Sequence, residues 1–254
     1  LEVDVVVDKQ PIADPHALYL PLPTALRPGW ACDFETAGAA VRLDGEQLPY
    51  SSRHYITAQR WIRIADAAHE LTVACPDAPL WQVGGFTYGR FDEPDGRVAR
   101  DTPTLMAWLT NNYWMTNFQA DQGGRIRFRF WLLPAPRQAL GVAAQQALTY
   151  AQPPAVHVYA GRGPVKSDAG SLLRPELGSV LLTGLERDGE GVALTLLNVG
   201  EEAVDARIGP GAFVPQRALR TSLSGEALEP LPCDGAVSVR VAPRAWTRVL
   251  LLDH

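Results

Sequence analysis

Short runs of alternating apolar and polar residues recur along most of this 254-residue chain. The clearest run is Arg125–Leu133, RIRFRFWLL, in which Ile126, Phe128 and Phe130 fall on one face and three arginines on the other. A period of two is typical of a strand with one buried and one solvent-exposed face. Similar runs predict strands at Val3–Val7, Ala17–Leu22, Trp61–Ile64, Leu71–Ala74, Leu105–Thr110, Ser179–Leu185, Val192–Asn198, Val237–Val241 and Trp246–Leu252.

The spacing of these runs predicts an all-β protein built from sandwiches. Turn residues are dense, with 22 glycines and 21 prolines, and the 10–15-residue amphipathic helices of a parallel α/β fold are missing. One helical candidate, Arg137–Tyr150, is rich in alanine and interrupted by Gly141, so a short helix and a turn-rich connection both remain open.

The predicted strands fall into two domains. Clean periodicity is lost between Ala151 and Leu177, where proline, glycine and serine concentrate. We therefore predict a first β domain over residues 1–152, a linker passage over residues 153–176 and a small β-sandwich over residues 177–254.

Composition narrows the partners and the compartment. The net charge is -5 and the charges are scattered, which argues against nucleic acid as a partner. The absence of a run of about 18 apolar residues argues against a membrane. Three widely spaced cysteines favour a reducing, cytoplasmic compartment. A chain that starts inside a strand pattern and without methionine is expected to be a fragment of a longer protein.

Familiar catalytic and metal-binding motifs are missing from the sequence. The five histidines lie far apart, without an HExxH pattern, and no GxSxG elbow or phosphate-binding glycine loop is present. A pair of carboxylates could serve glycoside chemistry, but no spacing marks two facing acids. The candidates are Asp77, Asp92, Glu93, Asp95, Asp101 and Asp121, and the DEPDG segment among them is typical of a solvated turn.

Two segments are candidate binding surfaces. The first joins aromatic rings to side-chain amides, which is how proteins bind sugars, and consists of Asn111, Asn112, Tyr113, Trp114 and Asn117. A purely structural role, with Trp114 in the core, stays open. The second is weaker and is predicted to be a solvated strand; it consists of Arg53, His54, Gln59, Arg60 and Trp61.

Several stretches together resemble glycoside hydrolase family 38, the α-mannosidases, in its carboxyl-terminal β region. They are LYLPLPTAL at Leu18–Leu26, SSRHYITAQRWIRIAD at Ser51–Asp66, APLWQVGGF at Ala78–Phe86, LMAWLTNNYWMTNFQADQGGRIRFRFWL at Leu105–Leu132 and the tail from Gly191 to Leu252. The resemblance implies a galactose-mutarotase-like supersandwich, incomplete if strands lie upstream, followed by a small β-sandwich. Met115 departs from that family's pattern, where a polar residue or histidine is expected.

In that family the aspartate nucleophile and the zinc ligands lie in an amino-terminal domain. The resemblance therefore implies a non-catalytic carboxyl-terminal portion with no cofactor of its own, whose partner is the missing catalytic domain. The Asn111 segment would face that domain or its sugar cleft. An apolar surface left by the missing domain is expected to be exposed or covered by self-association into a homo-oligomer.

Two other functions stay open. One is an independent carbohydrate-binding β-sandwich with a groove lined by Tyr113, Trp114 and Trp81. The other is a mutarotase-type enzyme, which would need His54 or His69 beside an acid.

Overall fold

The computed structural model describes residues 1–85, 98, 100–112, 121–152, 154 and 169–253. The chain divides into two compact units, Leu1–Gln138 with Gln146–Pro153 and Ala139–Gln145 with Pro154–His254. The predicted domain bounds at residues 152 and 177 stay a prediction, because residues 155–168 between them are outside the described part of the chain.

The described residues of the first unit form two antiparallel sheets. The strands are β1 (Glu2–Lys9), β2 (Ala17–Pro23), β3 (Ala31–Thr36), β4 (Ala39–Arg42), β5 (Ile56–Thr57), β6 (Trp61–Ala65), β7 (His69–Ala74), β8 (Leu80–Val83), β9 (Thr104–Asn111) and β10 (Gly124–Pro136). A six-stranded sheet has the order β1-β10-β7-β6-β3-β4, and a four-stranded sheet has the order β2-β9-β8-β5.

Apolar side chains from both sheets form the core of the first unit. The six-stranded sheet contributes Ile62, Ile64 and Phe130, and the four-stranded sheet contributes Trp81 and Leu105, all with at most 1% of their surface exposed. Because side chains alternate along a strand, one face of each sheet is committed to this core. The two faces away from the core are therefore where a functional surface can lie.

Strand β10 has the two faces that its sequence predicts. Phe128 and Phe130 are buried, whereas Arg125 and Arg127 are exposed and Arg129 is half-buried. Arg127 pairs with Asp4 across the sheet at 2.6 Å. The predicted alternation is confirmed.

The helical candidate forms helix α1 (Leu140–Ala151). Gly141 lies in its first turn, where a Cβ would come within 1.8 Å of the backbone oxygen of Ser179. The glycine that weakens the helical pattern in the sequence is therefore required by a close backbone approach. Within the described residues, no helix is long and apolar enough to cross a membrane.

The second unit also contains two antiparallel sheets. The strands are β11 (Leu173–Glu176), β12 (Val180–Asp188), β13 (Gly191–Asn198), β14 (Val204–Pro210), β15 (Arg217–Thr221), β16 (Ala227–Leu231), β17 (Val237–Val241) and β18 (Ala245–Leu252). A three-stranded sheet, β11-β14-β17, and a five-stranded sheet, β12-β13-β18-β15-β16, share a core that includes Ile208, Val237, Leu194, Leu196 and Leu251.

The all-β prediction is confirmed. Each of the ten predicted strands is present. Most of their ends lie one to three residues beyond the predicted bounds, and the others coincide with those bounds or, as at Val180, fall one residue inside them. Strand β11 lies within the segment predicted as linker and pairs with β14 from Leu173↔Pro210 to Glu176↔Arg207.

Candidate functional site

The face of the four-stranded sheet away from the core is the candidate site. On β9, Leu105 and Leu109 point into the core, so Met106 and Trp108 point to the opposite face. Cross-strand pairing brings Tyr19 of β2 to Trp108 and Gln82 of β8 to Met106. We call this set, together with Tyr55 just before β5, the aromatic face: Tyr19, Tyr55, Gln82, Met106 and Trp108.

Three rings meet at the centre of the aromatic face. Tyr19 stacks on Trp108 with centroids 5.3 Å apart and planes at 17°, and Tyr55 lies 4.8 Å from the same ring at 35°. Each such pair contributes about 0.5–1.5 kcal/mol beyond the burial of area. Trp108 is only 5% exposed, so its ring is packed between neighbours and does not offer an open platform.

Strand β9 ends at the two asparagines predicted as site residues. Asn112 is 8% exposed, and both polar atoms of its side chain form hydrogen bonds within the chain. The Oδ1 atom accepts from the backbone N–H of His16 at 2.8 Å, and Nδ2 donates to the carbonyls of Ile12 and Asp14 at 2.8 and 2.7 Å. Asn112 therefore anchors the segment that enters β2. Asn111 is the last residue of β9 and is exposed.

The other predicted site residues lie outside the described part of the chain: Tyr113, Trp114 and Asn117. Their contact with sugar or with another domain stays a prediction. The two described members differ in position, because Asn112 is buried and bound to residues 12–16 while Asn111 is at the surface.

The prediction of a solvated strand around residues 53–61 is wrong for three residues. Arg53, His54 and Trp61 are buried, at 6%, 4% and 1% exposure. The Arg53 guanidinium donates to the backbone oxygens of Asp44, Gln47 and Leu48, which is why a cation is retained there. Gln59 is exposed, as a solvated position requires.

Trp81 cannot line an open groove as the independent-lectin hypothesis requires. The residue has 0% exposure, its Nε1–H donates to the Ala78 carbonyl at 2.9 Å and its ring meets Phe130 edge-on at 6.2 Å. That hypothesis is wrong for this residue, because Trp81 belongs to the core.

Three of the six candidate carboxylates lie in the described part of the chain: Asp77, Asp101 and Asp121. Asp77 is bound by Arg129, whose Nε donates to Oδ2 at 2.8 Å and which holds the pKa of Asp77 below its usual range. Asp101 is exposed and Asp121 half-buried, while Asp92, Glu93 and Asp95 lie outside the described residues. In the part of the chain that is described, no three His, Cys, Asp or Glu side chains cluster in a way that could hold a metal ion.

Sequence reasoning missed a buried network of charges on the six-stranded sheet. Arg63 is 1% exposed, forms an ion pair with Glu70 and lies 3.6 Å from Asp33. Arg42 binds the same Asp33 at 2.5 Å, and Arg60 pairs with Glu35 through both Nε and Nη2. Among the described residues, three carboxylates thus face three guanidinium groups, so the charges of these six groups balance. The sequence does contain a trace of this network, because charged and apolar residues alternate in DFE and WIRIA. The same alternation is also typical of a strand with a solvent-exposed face, so it does not predict burial of the charges.

The fold and the site define an all-β protein of two sandwich units with an aromatic, amide-flanked sheet face. The chain matches no protein-family model and no curated protein. Solved structures do share its fold. One is a protein of glycosyl hydrolase family 38 from Enterococcus faecalis, with a TM-score of 0.72 and 14% identity over 99% of this chain. Another is an α-mannosidase from Enterococcus faecalis V583, with a TM-score of 0.70 and 14% identity over 99% of this chain.

These structures are much longer than this chain, which spans 28% and 27% of their lengths. The resemblance predicted from the sequence is thus confirmed at the level of the fold. The chain has the fold of one region of these family 38 structures, and that region makes up about a quarter of their length.

Proposed function

We propose that this chain is the non-catalytic carboxyl-terminal portion of an α-mannosidase-type glycoside hydrolase. The carrying observation is that 99% of the chain superimposes on about a quarter of a family 38 protein. In this proposal the reacting groups and the zinc belong to a separate amino-terminal domain.

The proposed role of the aromatic face is to fix the end of β9. Trp108 is held by Tyr19 and Tyr55, and Asn112 ties the strand end to residues 12–16. Rigid support next to a binding segment helps to hold a ligand in one geometry. In the whole enzyme this end of β9 meets the catalytic domain or its sugar cleft, with Asn111 at the contact.

We further propose a cytoplasmic location. The three cysteines are free thiols, and Cys32 and Cys75 are buried where no partner thiol reaches them. A chain made in a reducing compartment needs no disulfide framework.

The test is reassembly of the enzyme from two polypeptides. The reading frame upstream of Leu1 would be expressed as one chain and residues 1–254 as the other, both with zinc. We expect the two chains to copurify and to hydrolyse an aryl α-mannoside together, whereas residues 1–254 alone should show no turnover. Asn111→Ala should reduce the activity of the pair, while Thr149→Ala, an exposed helix position, is the control.

Zinc-dependent hydrolysis by the isolated chain would overturn the proposal. So would an upstream reading frame without a zinc-binding aspartate and histidine domain. Light scattering on the isolated chain tests whether it self-associates through the surface that the catalytic domain is expected to cover. A homo-oligomer that persists when the upstream chain is added would contradict the proposed support of the catalytic domain by that surface.

A further inference from the structure

A cavity of about 370 Å³ lies in the first unit, apart from the residues of the aromatic face. The residues that line it include the aromatic Trp30, the apolar Leu43 and Cys32 and the charged Asp44 and Arg100. The volume falls in the range of about 300–1,000 Å³ that is typical of small-molecule sites. A cavity with one aromatic ring, apolar walls and a few fixed polar groups has the composition of a binding site.

Arg100 holds the Asp44 carboxylate in one orientation. Its Nε donates to Oδ2 at 2.6 Å and its Nη2 to Oδ1 at 3.3 Å, a two-point contact. Two further N–H groups donate to backbone oxygens, one from Nη1 to Val83 at 2.6 Å and one from Nη2 to Arg53 at 2.9 Å. Four of the five N–H groups of the guanidinium are therefore engaged within the protein.

Hydrogen bonds from Arg53 also hold the backbone around Asp44 in place. Asp44 has a φ of 63°, a left-handed conformation that aspartate and asparagine adopt more readily than most residues. Its carbonyl accepts from Arg53 Nη1 at 3.4 Å, and the same guanidinium binds the carbonyls of Gln47 and Leu48. The carboxylate is thus positioned before any ligand arrives, which lowers the entropic cost of binding.

The balance of charge in the cavity indicates whether a charged or a neutral ligand is favoured. Asp44 and Arg100 neutralise each other, so neither a cation nor an anion gains a net attraction. Arg100 is only 9% exposed, whereas Asp44 is 30% exposed. Each carboxylate oxygen keeps lone pairs beyond its bond to Arg100, so the site offers acceptors to hydroxyl donors. Burial raises the pKa of the Cys32 thiol, so this wall also stays neutral.

We propose that this cavity binds a neutral polyhydroxylated ligand of the size of one sugar ring. Asp44 accepts hydrogen bonds from ligand hydroxyls, Trp30 contacts the apolar C–H face and Arg100 acts as a positioning residue for Asp44. The inference is independent of the proposed role of the chain in an α-mannosidase, because it rests only on the cavity of this unit.

The test is a titration of the 254-residue chain with methyl α-mannoside, followed by NMR of backbone and indole N–H groups. We expect saturable binding at millimolar concentrations, with shifts at Trp30 and at the amides around Asp44. Asp44→Asn suits the left-handed backbone and removes the charged acceptor, and should weaken binding about tenfold, as should Trp30→Ala. Trp246→Ala, which removes a 40%-exposed tryptophan of β18, is the matched control and should leave affinity unchanged.

Three outcomes overturn the proposal: no saturable binding by the folded chain, binding by Asp44→Asn and Trp30→Ala that is as tight as that of the original chain, or tighter binding of a sugar phosphate than of the neutral glycoside. Circular dichroism establishes that each variant is folded. If Asp44→Asn does not fold, the titration uses Trp30→Phe in its place. The affinity of Trp30→Phe is expected to lie between those of the original chain and of Trp30→Ala. A failed titration leaves the reassembly of the hydrolase untouched, so the two proposals fail separately.

Discussion

At the scale of single residues, Asn112 shows how a polar side chain in a candidate binding motif can be structural. Its three side-chain hydrogen bonds go to Ile12, Asp14 and His16, about a hundred positions earlier in the chain. The sequence shows the amide at the end of a predicted strand, but the partners are a product of the pairing between β2 and β9. Adjacent asparagines therefore have different roles that no local pattern separates.

Replacing Asn112 by alanine should destabilise the chain by about 2–4 kcal/mol. Each lost hydrogen bond costs about 0.5–1.5 kcal/mol, and the backbone groups that it served are left without a partner. Urea unfolding measures the difference. Asn111→Ala is the control and should stay within about 0.5 kcal/mol, since that side chain is exposed. Equal effects of the two changes would contradict the anchoring role.

Asp66 closes the turn between β6 and β7 and ties it to residue 27. Its Oδ1 accepts from the backbone N–H groups of Ala68 and His69, and its Oδ2 from that of Arg27, all within 2.8 Å. These bonds lower the pKa of Asp66 from 3.8 to about 2. Because the folded pKa lies below the unfolded one, the stabilisation is present above 3.8 and is lost as the pH falls toward about 2.

Asp66→Asn should therefore lower the melting temperature most at neutral pH. The gap between the original chain and the variant should narrow as the pH falls from 3.8 toward about 2, and thermal melts across this range measure it. Asp14→Asn changes an exposed aspartate and should melt like the original chain throughout. A gap of constant size down to the lowest pH would show that the carboxylate charge is not what stabilises the turn.

At the scale of the elements, the clean alternation of apolar and charged residues predicts β10, whereas β3 is not among the predicted strands. β10 places its arginines toward solvent, and its period of two marks it. β3 is buried on both faces, with Phe34 in the core and Asp33 and Glu35 among guanidinium groups opposite. Burial of charge depends on partners from other strands, so the sequence of β3 alone gives no reason to place it inside.

Arg63→Met tests whether the buried charges on these strands support one another. The change leaves Asp33 and Glu70 in a buried position without one of their cations, which should cost about 3–5 kcal/mol. Arg127→Met in β10 is the matched control, because the Arg127–Asp4 pair is exposed at 59% and 40% and should contribute at most about 1 kcal/mol. Urea unfolding followed by tryptophan fluorescence compares the two, and similar losses would refute the distinction between the buried and the exposed pair.

At the scale of the whole molecule, the chain contains two cores with no residue in common among the described positions. The loss of periodicity near residues 151–177 predicts a division into two domains, and the bounds of those domains stay a prediction. The sequence could not indicate the aromatic face or the cavity beside Asp44. Those depend on which side of a sheet each strand presents and on loop contacts between Arg100, Arg53 and Asp44.

Separate cores predict separate responses to cavity-forming substitutions. Ile64→Ala in β6 and Leu194→Ala in β13 each remove a fully packed side chain and should cost about 2–5 kcal/mol in the unit that carries it. Hydrogen exchange should show faster exchange in β6 and β7 for Ile64→Ala and in β13 and β18 for Leu194→Ala, with the other pair protected as in the original chain. The two variants control for each other, because they differ in location and not in kind. Equal loss of protection in both pairs for either variant would mean that the units unfold as one cooperative body, and the two cores would then have to be treated as one.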